Sequence, residues 1–250
     1  MISATPLISI ITVVYNGGNV IKPTIESVIR QSCTDYEYIV IDGASTDDTV
    51  SIVRSFNMKN LSLVSEKDNG IYDAMNKGLS LAKGKYVIFL NAGDAFASSN
   101  ILQSVHNAFE EYPETDVFYG QTIIINDERK IIGHRHLTAP RNLTSNCFQQ
   151  GMVVCHQAFF ARREIAPYYN TDYKFSADYD WCLKILDKSH YNHYLGDRPI
   201  IKYLQYGTTT ANHKRSLIER FNIMEHRFGL LKTILSHIKF IFRSLSRRMK

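Results

Sequence analysis

Short apolar segments and amphipathic segments alternate regularly over the first part of the sequence. Four segments rich in Val, Ile, Leu and Tyr are predicted strands, over residues 7–14, 38–42, 61–65 and 86–90. The segments between them are predicted helices, as over residues 71–82, where the apolar side chains recur at helical spacing. Strands and helices that alternate in this way predict an α/β fold with a parallel sheet and helices on its faces.

The periodicity changes in the second part of the sequence. We predict a helix over about residues 100–112, a strand at 117–119, a hairpin over 121–137 turning near Asn126 and Asp127, a helix over 178–186, strand material over 191–204 and a helix over 213–228. Residues 138–160 are polar and predicted to be irregular. A chain of 250 residues without a repeat or a Pro/Ser-rich linker is long enough for one large domain, of which this part is an extension.

The positive charge of the chain is concentrated at its C-terminal end. Residues 214–250 carry ten Lys or Arg against two Glu, so residues 1–213 carry 19 basic and 22 acidic groups. A mildly acidic body is a poor general binder of polyphosphate, and we expect no nucleic-acid partner.

The last segment, residues 230–250, contains six Lys or Arg, no acidic residue and apolar residues at helical spacing. Such a segment predicts a basic amphipathic helix on an anionic inner membrane leaflet. The alternative is a helix that packs on the domain or on a partner subunit.

The cysteines and the N-terminal segment bear on the compartment. Cys33, Cys147, Cys155 and Cys182 are widely spaced and form no Cys-x-x-Cys pair, so neither a zinc site nor a disulfide framework is predicted. The first apolar run, residues 7–14, is too short to span a bilayer, and no signal-peptide pattern precedes it. We expect a cytoplasmic protein, peripheral at the inner face of the membrane.

Polar clusters follow each of the four predicted strands, at residues 15–16, 42–45, 66–70 and 91–94. The carboxyl ends of parallel strands meet at one edge of the sheet, where ligands bind. The sequence has neither Gly-x-Gly-x-x-Gly after the first strand nor Gly-x-x-x-x-Gly-Lys-Ser/Thr, which argues against a dinucleotide redox enzyme and a P-loop ATPase. A mononucleotide held by side chains is the remaining natural ligand.

Four strings, each at a strand end, carry a family resemblance: TVVYN (12–16), VIDGASTDDT (40–49), SEKDNGIYDAMNKG (65–78) and GKYVIFLNAGD (84–94). Over about residues 7–210 the chain resembles the family-2 inverting glycosyltransferases with the GT-A fold. The resemblance implies a Rossmann-like, mostly parallel sheet with helices on both faces and a C-terminal helical extension. It implies a glycosyltransferase domain over 1–213, with nucleotide-sugar binding in about 1–115 and the acceptor side in about 116–213. The charge distribution adds a basic helical tail over 214–250.

The implied reaction moves a sugar, with inversion, from a nucleoside-diphosphate sugar, expected to be UDP-linked, to a glycan or lipid-linked acceptor in cell-surface polysaccharide synthesis. Two alternatives stay open. A sugar-phosphate nucleotidyltransferase has the same α/β architecture but would require a Gly-rich, basic loop after the first strand. A catalytically inactive, membrane-recruited scaffold is suggested by the missing Asp-x-Asp.

The resemblance places donor-binding residues at the strand ends. They are Tyr15, Asn16, Asp42, Ser45, Asp68, Asn69, Gly70, Asn76, Asn91 and Ala92. For Asp42 we favour nucleoside binding over helix capping, since Ser45 and Asp47 can supply the cap. For residues 68–70 helix capping alone is a complete alternative to binding of a diphosphate or ribose.

The metal position departs from the family pattern. Where many relatives have Asp-x-Asp, this sequence has Asn91 and Gly93, which leaves Asp94 as the carboxylate. One carboxylate, an amide oxygen and phosphate oxygens can hold Mg²⁺ or Mn²⁺, so we expect weak metal binding completed by the substrate. Alternatively Asp94 caps a helix near residues 97–100 and no metal is used.

Asp178 stands where the family places its catalytic base, at the start of a predicted helix. Asp180 lies about 200° further round that helix, so the two carboxylates cannot both face one hydroxyl, and we favour Asp178. His156 and Gln157 resemble the segment that lines the acceptor and diphosphate side. Asp180, and His213 after a predicted mobile loop at 207–212, are further candidates for the same side.

Overall fold

The computed structural model describes residues 5–205 and 213–248, and its centre is one mixed β-sheet. Nine strands are β1 Ile8–Val14, β2 Tyr36–Asp42, β3 Leu61–Ser65, β4 Tyr86–Phe89, β5 Ala95–Phe96, β6 Val117–Ile125, β7 Ile131–His134, β8 Phe159–Arg162 and β9 Asn192–Leu204. The order across the sheet is β3-β2-β1-β4-β8-β6-β9-β5, and β7 pairs with β6. β3, β2, β1 and β4 run parallel, which confirms the predicted α/β class.

The described residues form seven α-helices around the sheet: α1 Ile21–Ile29, α2 Thr49–Ser55, α3 Ile71–Leu81, α4 Ile101–Glu111, α5 Ala177–Lys188, α6 His213–Phe228 and α7 Leu230–Arg248. Alternate side chains of β1 enter two different cores. Ile11 packs with Met75 of α3, whereas Ile10 packs with Ile25 of α1. Helices therefore cover both faces of the sheet, and burial on both faces explains why β1 is apolar except for Ser9 and Thr12, which are buried as well.

The second half extends the same sheet. The hairpin is confirmed, with β6 and β7 antiparallel on either side of Asn126 and Asp127. The prediction of irregular structure up to residue 160 is wrong at its end, because β8 begins at Phe159 and lies antiparallel between β4 and β6. Phe159, Phe160 and Ala161 are all fully buried, so β8 has no polar alternation to mark it as a strand.

The two C-terminal helices differ in their packing on the domain. Ile223 and Met224 of α6 are buried in the core that also contains α3 and α5. Glu219 accepts hydrogen bonds from the backbone N–H groups of Lys174 and Phe175, both at 2.8 Å, so α6 is fixed to the segment before α5. In the described residues, no helix is both long and apolar enough to cross a membrane.

Candidate active site

The carboxyl ends of β1, β2 and β3 bring three predicted donor-binding residues together around Gly43. Val14 pairs with Asp42, and Asp42 pairs with Ser65, so the three strands end level with one another. A Cβ atom on Gly43 would lie 2.5 Å from Asp68 Oδ2 and 3.4 Å from Tyr15 Cδ2. Glycine at this position therefore lets the Tyr15 ring and the Asp68 carboxylate approach the end of β2.

Asp42 is fully buried, and its carboxylate accepts three hydrogen bonds from this chain. Ser45 N and Ser65 Oγ donate to Oδ2 at 3.0 and 2.6 Å, and Ser45 Oγ donates to Oδ1. Of the two residues expected to cap the next helix, Ser45 does not, because its hydroxyl binds Asp42. Asp47 does bond the start of α2, since its Oδ1 accepts from Thr49 N at 3.1 Å. Asp42 thus fixes the turn between β2 and α2.

The cluster also includes Tyr15 and Asn16, the two residues that directly follow β1. Asn16 has a left-handed backbone (φ 49°), its N–H donates to Ser45 Oγ at 2.7 Å, and its Oδ1 accepts from Thr46 N at 2.9 Å. The adjoining Tyr15 ring is 65% exposed. An exposed aromatic face held by a fixed turn can stack against a planar base.

Two carboxylates bond the backbone just before α3. Gly70 N donates to Asp68 Oδ1 and Asn69 N donates to Asp73 Oδ2, both at 2.9 Å. These bonds fix the turn that enters the helix, whereas Gly70, the N-cap residue, provides no side-chain cap.

Two further donor-side candidates contact neighbouring loops. The Asn76 amide bonds the backbone of Tyr169, with Nδ2 to the carbonyl at 2.9 Å and Oδ1 from the N–H at 2.7 Å. Ala92 lies beside the turn after β1, about 3.8 Å from where a Cβ of Gly17 would be.

Asp178 lies at the start of α5 in a chain of polar contacts with residues distant in sequence. Its Oδ2 is 3.2 Å from His156 Nδ1, and its Oδ1 accepts from Tyr72 Oη at 3.3 Å. The other ring nitrogen of His156 is 3.3 Å from Asn91 Nδ2. This chain joins the end of β4 to the predicted base.

The charge state of Asp178 follows from these contacts. Burial alone would raise the pKa of Asp178, but the hydrogen bond and charge of His156, with the charge of Arg220, outweigh burial and lower the pKa. Asp178 is therefore an ionised carboxylate at neutral pH. Its side chain keeps about a quarter (23%) of its surface exposed, which gives a substrate hydroxyl access to it.

Asp180 has a different environment. Its Oδ2 forms an ion pair with Lys184 at 2.7 Å, one turn along the same helix. The carboxylate that contacts His156 and Tyr72 is thus that of Asp178, whereas the Asp180 carboxylate is paired with a lysine of its own helix.

Asp94 is buried, and each of its oxygens accepts one hydrogen bond. Gln157 Nε2 donates to Oδ2 and Leu204 N donates to Oδ1, both at 2.9 Å. Burial raises the pKa of Asp94 to about 7, against the lowering effects of Leu204 N, His156, Gln157 and Arg129. The alternative that Asp94 caps the helix after it is not formed: α4 begins at Ile101, with no side-chain cap hydrogen bond from its N-cap residue Asn100.

Sequence reasoning missed three residues of this site. Tyr72 contacts Asp178, Arg220 lowers its pKa, and Arg129 donates to the carbonyl oxygen of Gly93. Arg129 has a left-handed backbone in the hairpin turn, a position without any motif to mark it. Residues 207–212 and the side chain of His213 lie outside the described residues.

The parallel strands β1 to β4, with polar side chains after their carboxyl ends and Asp178 at the start of α5, have the α/β arrangement expected of a GT-A type glycosyltransferase. Residues 9–168 match the model of the family described as "Glycosyl transferase family 2". The chain belongs to this family.

Relatives in sequence include glycosyltransferases of two bacteria. Over 188 residues the chain is 34% identical to the PGL/p-HBAD biosynthesis glycosyltransferase of Mycobacterium bovis (strain BCG / Pasteur 1173P2), covering 72% of this chain and 70% of the relative. It is 26% identical over 227 residues to the Escherichia coli UDP-Glc:alpha-D-GlcNAc-diphosphoundecaprenol beta-1,3-glucosyltransferase WfaP, covering 88% and 86% of the two chains.

Two solved structures share the fold at low sequence identity. S. aureus TarS 1–349 in complex with UDP-GlcNAc has a TM-score of 0.73 at 19% identity and covers 87% of this chain, which spans 64% of that TarS chain. The mannosyltransferase PcManGT from Pyrobaculum calidifontis, in complex with GDP-Man and Mn²⁺, has a TM-score of 0.62 at 17% identity, covering 94% and 74%.

Proposed function

We propose that this protein transfers a hexose with inversion from a UDP-sugar to a hydroxyl of a lipid-linked or other glycan acceptor. The observation that carries the proposal is the position of Asp178, an ionised carboxylate that is held by His156 and Tyr72 and linked through His156 to Asn91 at the end of β4. An inverting transfer needs such a carboxylate opposite the leaving group.

The proposed step is a single displacement. Asp178 takes the proton of the acceptor hydroxyl while that oxygen forms a bond to the anomeric carbon, and the bond from this carbon to the diphosphate breaks. The nucleoside diphosphate leaves with the bonding electrons. Tyr72 and His156 are positioning residues, since both hold the Asp178 carboxylate by hydrogen bonds.

The donor side of the proposal rests on the cluster around Gly43. Tyr15 would stack on the base, and the Asp68 carboxylate beside it would accept from a ribose hydroxyl. UDP is favoured because WfaP is named for UDP-Glc and the TarS structure contains UDP-GlcNAc. A lipid-linked acceptor is favoured by the diphosphoundecaprenol in the name of WfaP.

A divalent cation fits the end of β4 only with help from the substrate. Asn91 Oδ1 is buried without a hydrogen-bond partner among the described residues, and the Asp94 oxygens each accept only one bond. These are hard oxygen donors of the kind that Mg²⁺ and Mn²⁺ prefer. No group of three His, Cys, Asp or Glu that could hold a metal occurs in the described residues, so Asn91 and Asp94 would need the donor diphosphate to complete the site. A bound cation would neutralise charge on the leaving diphosphate.

The proposal is tested by incubating the pure protein with UDP-, GDP- and dTDP-sugars, with and without Mn²⁺, and following sugar release by NMR. We expect binding of a UDP-sugar and slow release of sugar with the anomeric configuration inverted. Retained configuration would exclude single displacement. Neither binding nor release from any donor would favour the alternative of an inactive scaffold.

A further inference from the structure

The C-terminal helix α7 contacts the domain through its small and polar side, and its large apolar side faces outward. Thr233 and Ser236 are buried against the domain, the His237 ring lies 5.0 Å from that of Phe221, and Phe240 packs on the core. The outward residues are all exposed: Leu230, Leu231, Ile234, Leu235, Ile238, Ile241 and Phe242.

The outward residues form one continuous surface. At 100° per residue these seven side chains fall within an arc of about 140°, and the contacts with the domain lie on the opposite side of the helix. We call this arc the outer apolar face of α7. Lys232 and Lys239 lie next to this face, beyond Leu235, at about 200° and 180° on the same scale.

We propose that the outer apolar face of α7 lies in the headgroup region of an anionic membrane. Charge complementarity selects this occupant, because residues 226–250 contain seven Lys or Arg and no Asp or Glu. A second copy of the same face would bring two sets of positive charge together without any acidic residue on α7 to compensate them. The apolar side chains suit the acyl-chain boundary of an anionic membrane, and the basic groups beside them suit its headgroups.

A polar cavity of about 420 Å³ adjoins the basic side of α7. Lys239 and Arg243 line it together with the amide side chains of Gln149 and Gln150. Two cations and two amides are donors suited to the phosphodiester of a lipid headgroup. The cavity thus supports an anionic lipid rather than an apolar protein partner.

The docked helix would also place the acceptor side near the membrane. Arg243 donates to the carbonyl oxygen of Gln150 at 3.0 Å, in a short 3-10 turn over Ser145–Gln150. Tyr179 Oη donates to the carbonyl oxygen of Phe148 in the same turn at 2.6 Å. Because Tyr179 is next to Asp178 in the chain, these two hydrogen bonds connect α7, through the 3-10 turn, to the proposed base. Only this link between the membrane helix and the acceptor side rests on the proposed function.

The test is co-sedimentation of the full chain with phosphatidylcholine vesicles that contain phosphatidylglycerol, at low and high salt, with pure phosphatidylcholine as reference. We expect binding to the anionic vesicles that weakens with salt. Ile241→Glu should lower the partition coefficient roughly tenfold or more, because it removes an exposed apolar side chain that the membrane would bury. Lys239→Gln should lower it roughly fivefold at low salt and little at high salt.

Ile131→Glu is the matched control, since Ile131 on β7 and Ile241 on α7 are both 60% exposed and the charge change is the same. The proposal is supported when wild type and Ile131→Glu sediment equally with the anionic vesicles and Ile241→Glu sediments less. It is overturned when wild type fails to sediment, when the two variants sediment equally, or when light scattering shows a dimer that Ile241→Glu dissociates. UDP binding by each variant is measured separately, so loss of membrane binding is distinguished from failure of the transferase proposal.

Discussion

His156 Nδ1 lies 3.2 Å from Asp178 Oδ2, although the two residues are separated by 22 positions and by strand β8. The carboxylate can only accept, so Nδ1 carries the hydrogen of this bond. Because His156 is also next to Asn91 at the end of β4, the contact ties the acceptor side of the protein to its donor side.

Asp178→Asn should abolish transfer while leaving UDP binding intact. The amide keeps the shape of the side chain but cannot take a proton, so we expect the rate of transfer to fall roughly 10²–10⁴-fold. Asp180→Asn is the matched control on the same helix, because Asp180 is paired with Lys184. A larger loss in Asp180→Asn than in Asp178→Asn would reverse the assignment of the base.

His156→Phe should move the acid limb of the pH dependence of kcat/KM to higher pH. His156 lowers the pKa of Asp178, so in the wild type this carboxylate stays ionised below the usual pKa of an aspartate, about 4. Without the imidazole, the effect of burial on Asp178 should raise its pKa. His156→Asn, which keeps a donor, should give an intermediate profile. An unchanged acid limb in His156→Phe would show that His156 has only a packing role.

Asp94→Asn should remove the effect of Mn²⁺ on UDP binding. The substitution keeps an oxygen for Leu204 N, and Gln157 can turn its amide to accept instead of donate, so the fold should be retained. By calorimetry, wild type should bind UDP more tightly with Mn²⁺ and the variant equally with and without it. Equal enhancement in both proteins would place the cation elsewhere.

Gly43→Ala should weaken UDP binding with little loss of stability. Its new Cβ would meet the end of the Asp68 side chain at 2.5 Å, and a carboxylate can move aside. Loss of one donor contact corresponds to roughly three- to tenfold in affinity. Gly84→Ala provides the contrast, since its Cβ would meet the backbone nitrogen of Ser9 at 2.5 Å and should lower stability by about 1–3 kcal/mol. Equal UDP affinity of Gly43→Ala and wild type would remove Asp68 and Tyr15 from the donor site.

The first half of the fold could be predicted from the sequence because its pattern is local. Burial on both faces makes strands such as Ile8–Val14 mostly apolar and rich in β-branched residues, and the apolar residues of helices such as Ile71–Leu81 recur at a spacing of 3.6. Parallel strands then require their carboxyl ends to share an edge, which is why Tyr15, Asp42 and Asp68 could be grouped before any coordinates. The same periodicity predicted an apolar side for α7, but not whether that side packs inward.

Tertiary structure alone decided the contacts that the second half makes with the first. Gln157 reaches Asp94 across 63 positions and Arg129 reaches Gly93 across 36, and no local pattern specifies either pairing. Strand β8 is only four residues long and includes Ala161, a residue of low strand propensity, so no local pattern marks it, yet its insertion beside β4 brings His156 to Asp178. Periodicity reports which side of a segment is apolar, whereas the partner of that side depends on how the whole chain closes around the sheet. For this reason the sequence determined the strand-end cluster and the identity of the proposed base, and the packing of β8, α5 and α7 decided what surrounds them.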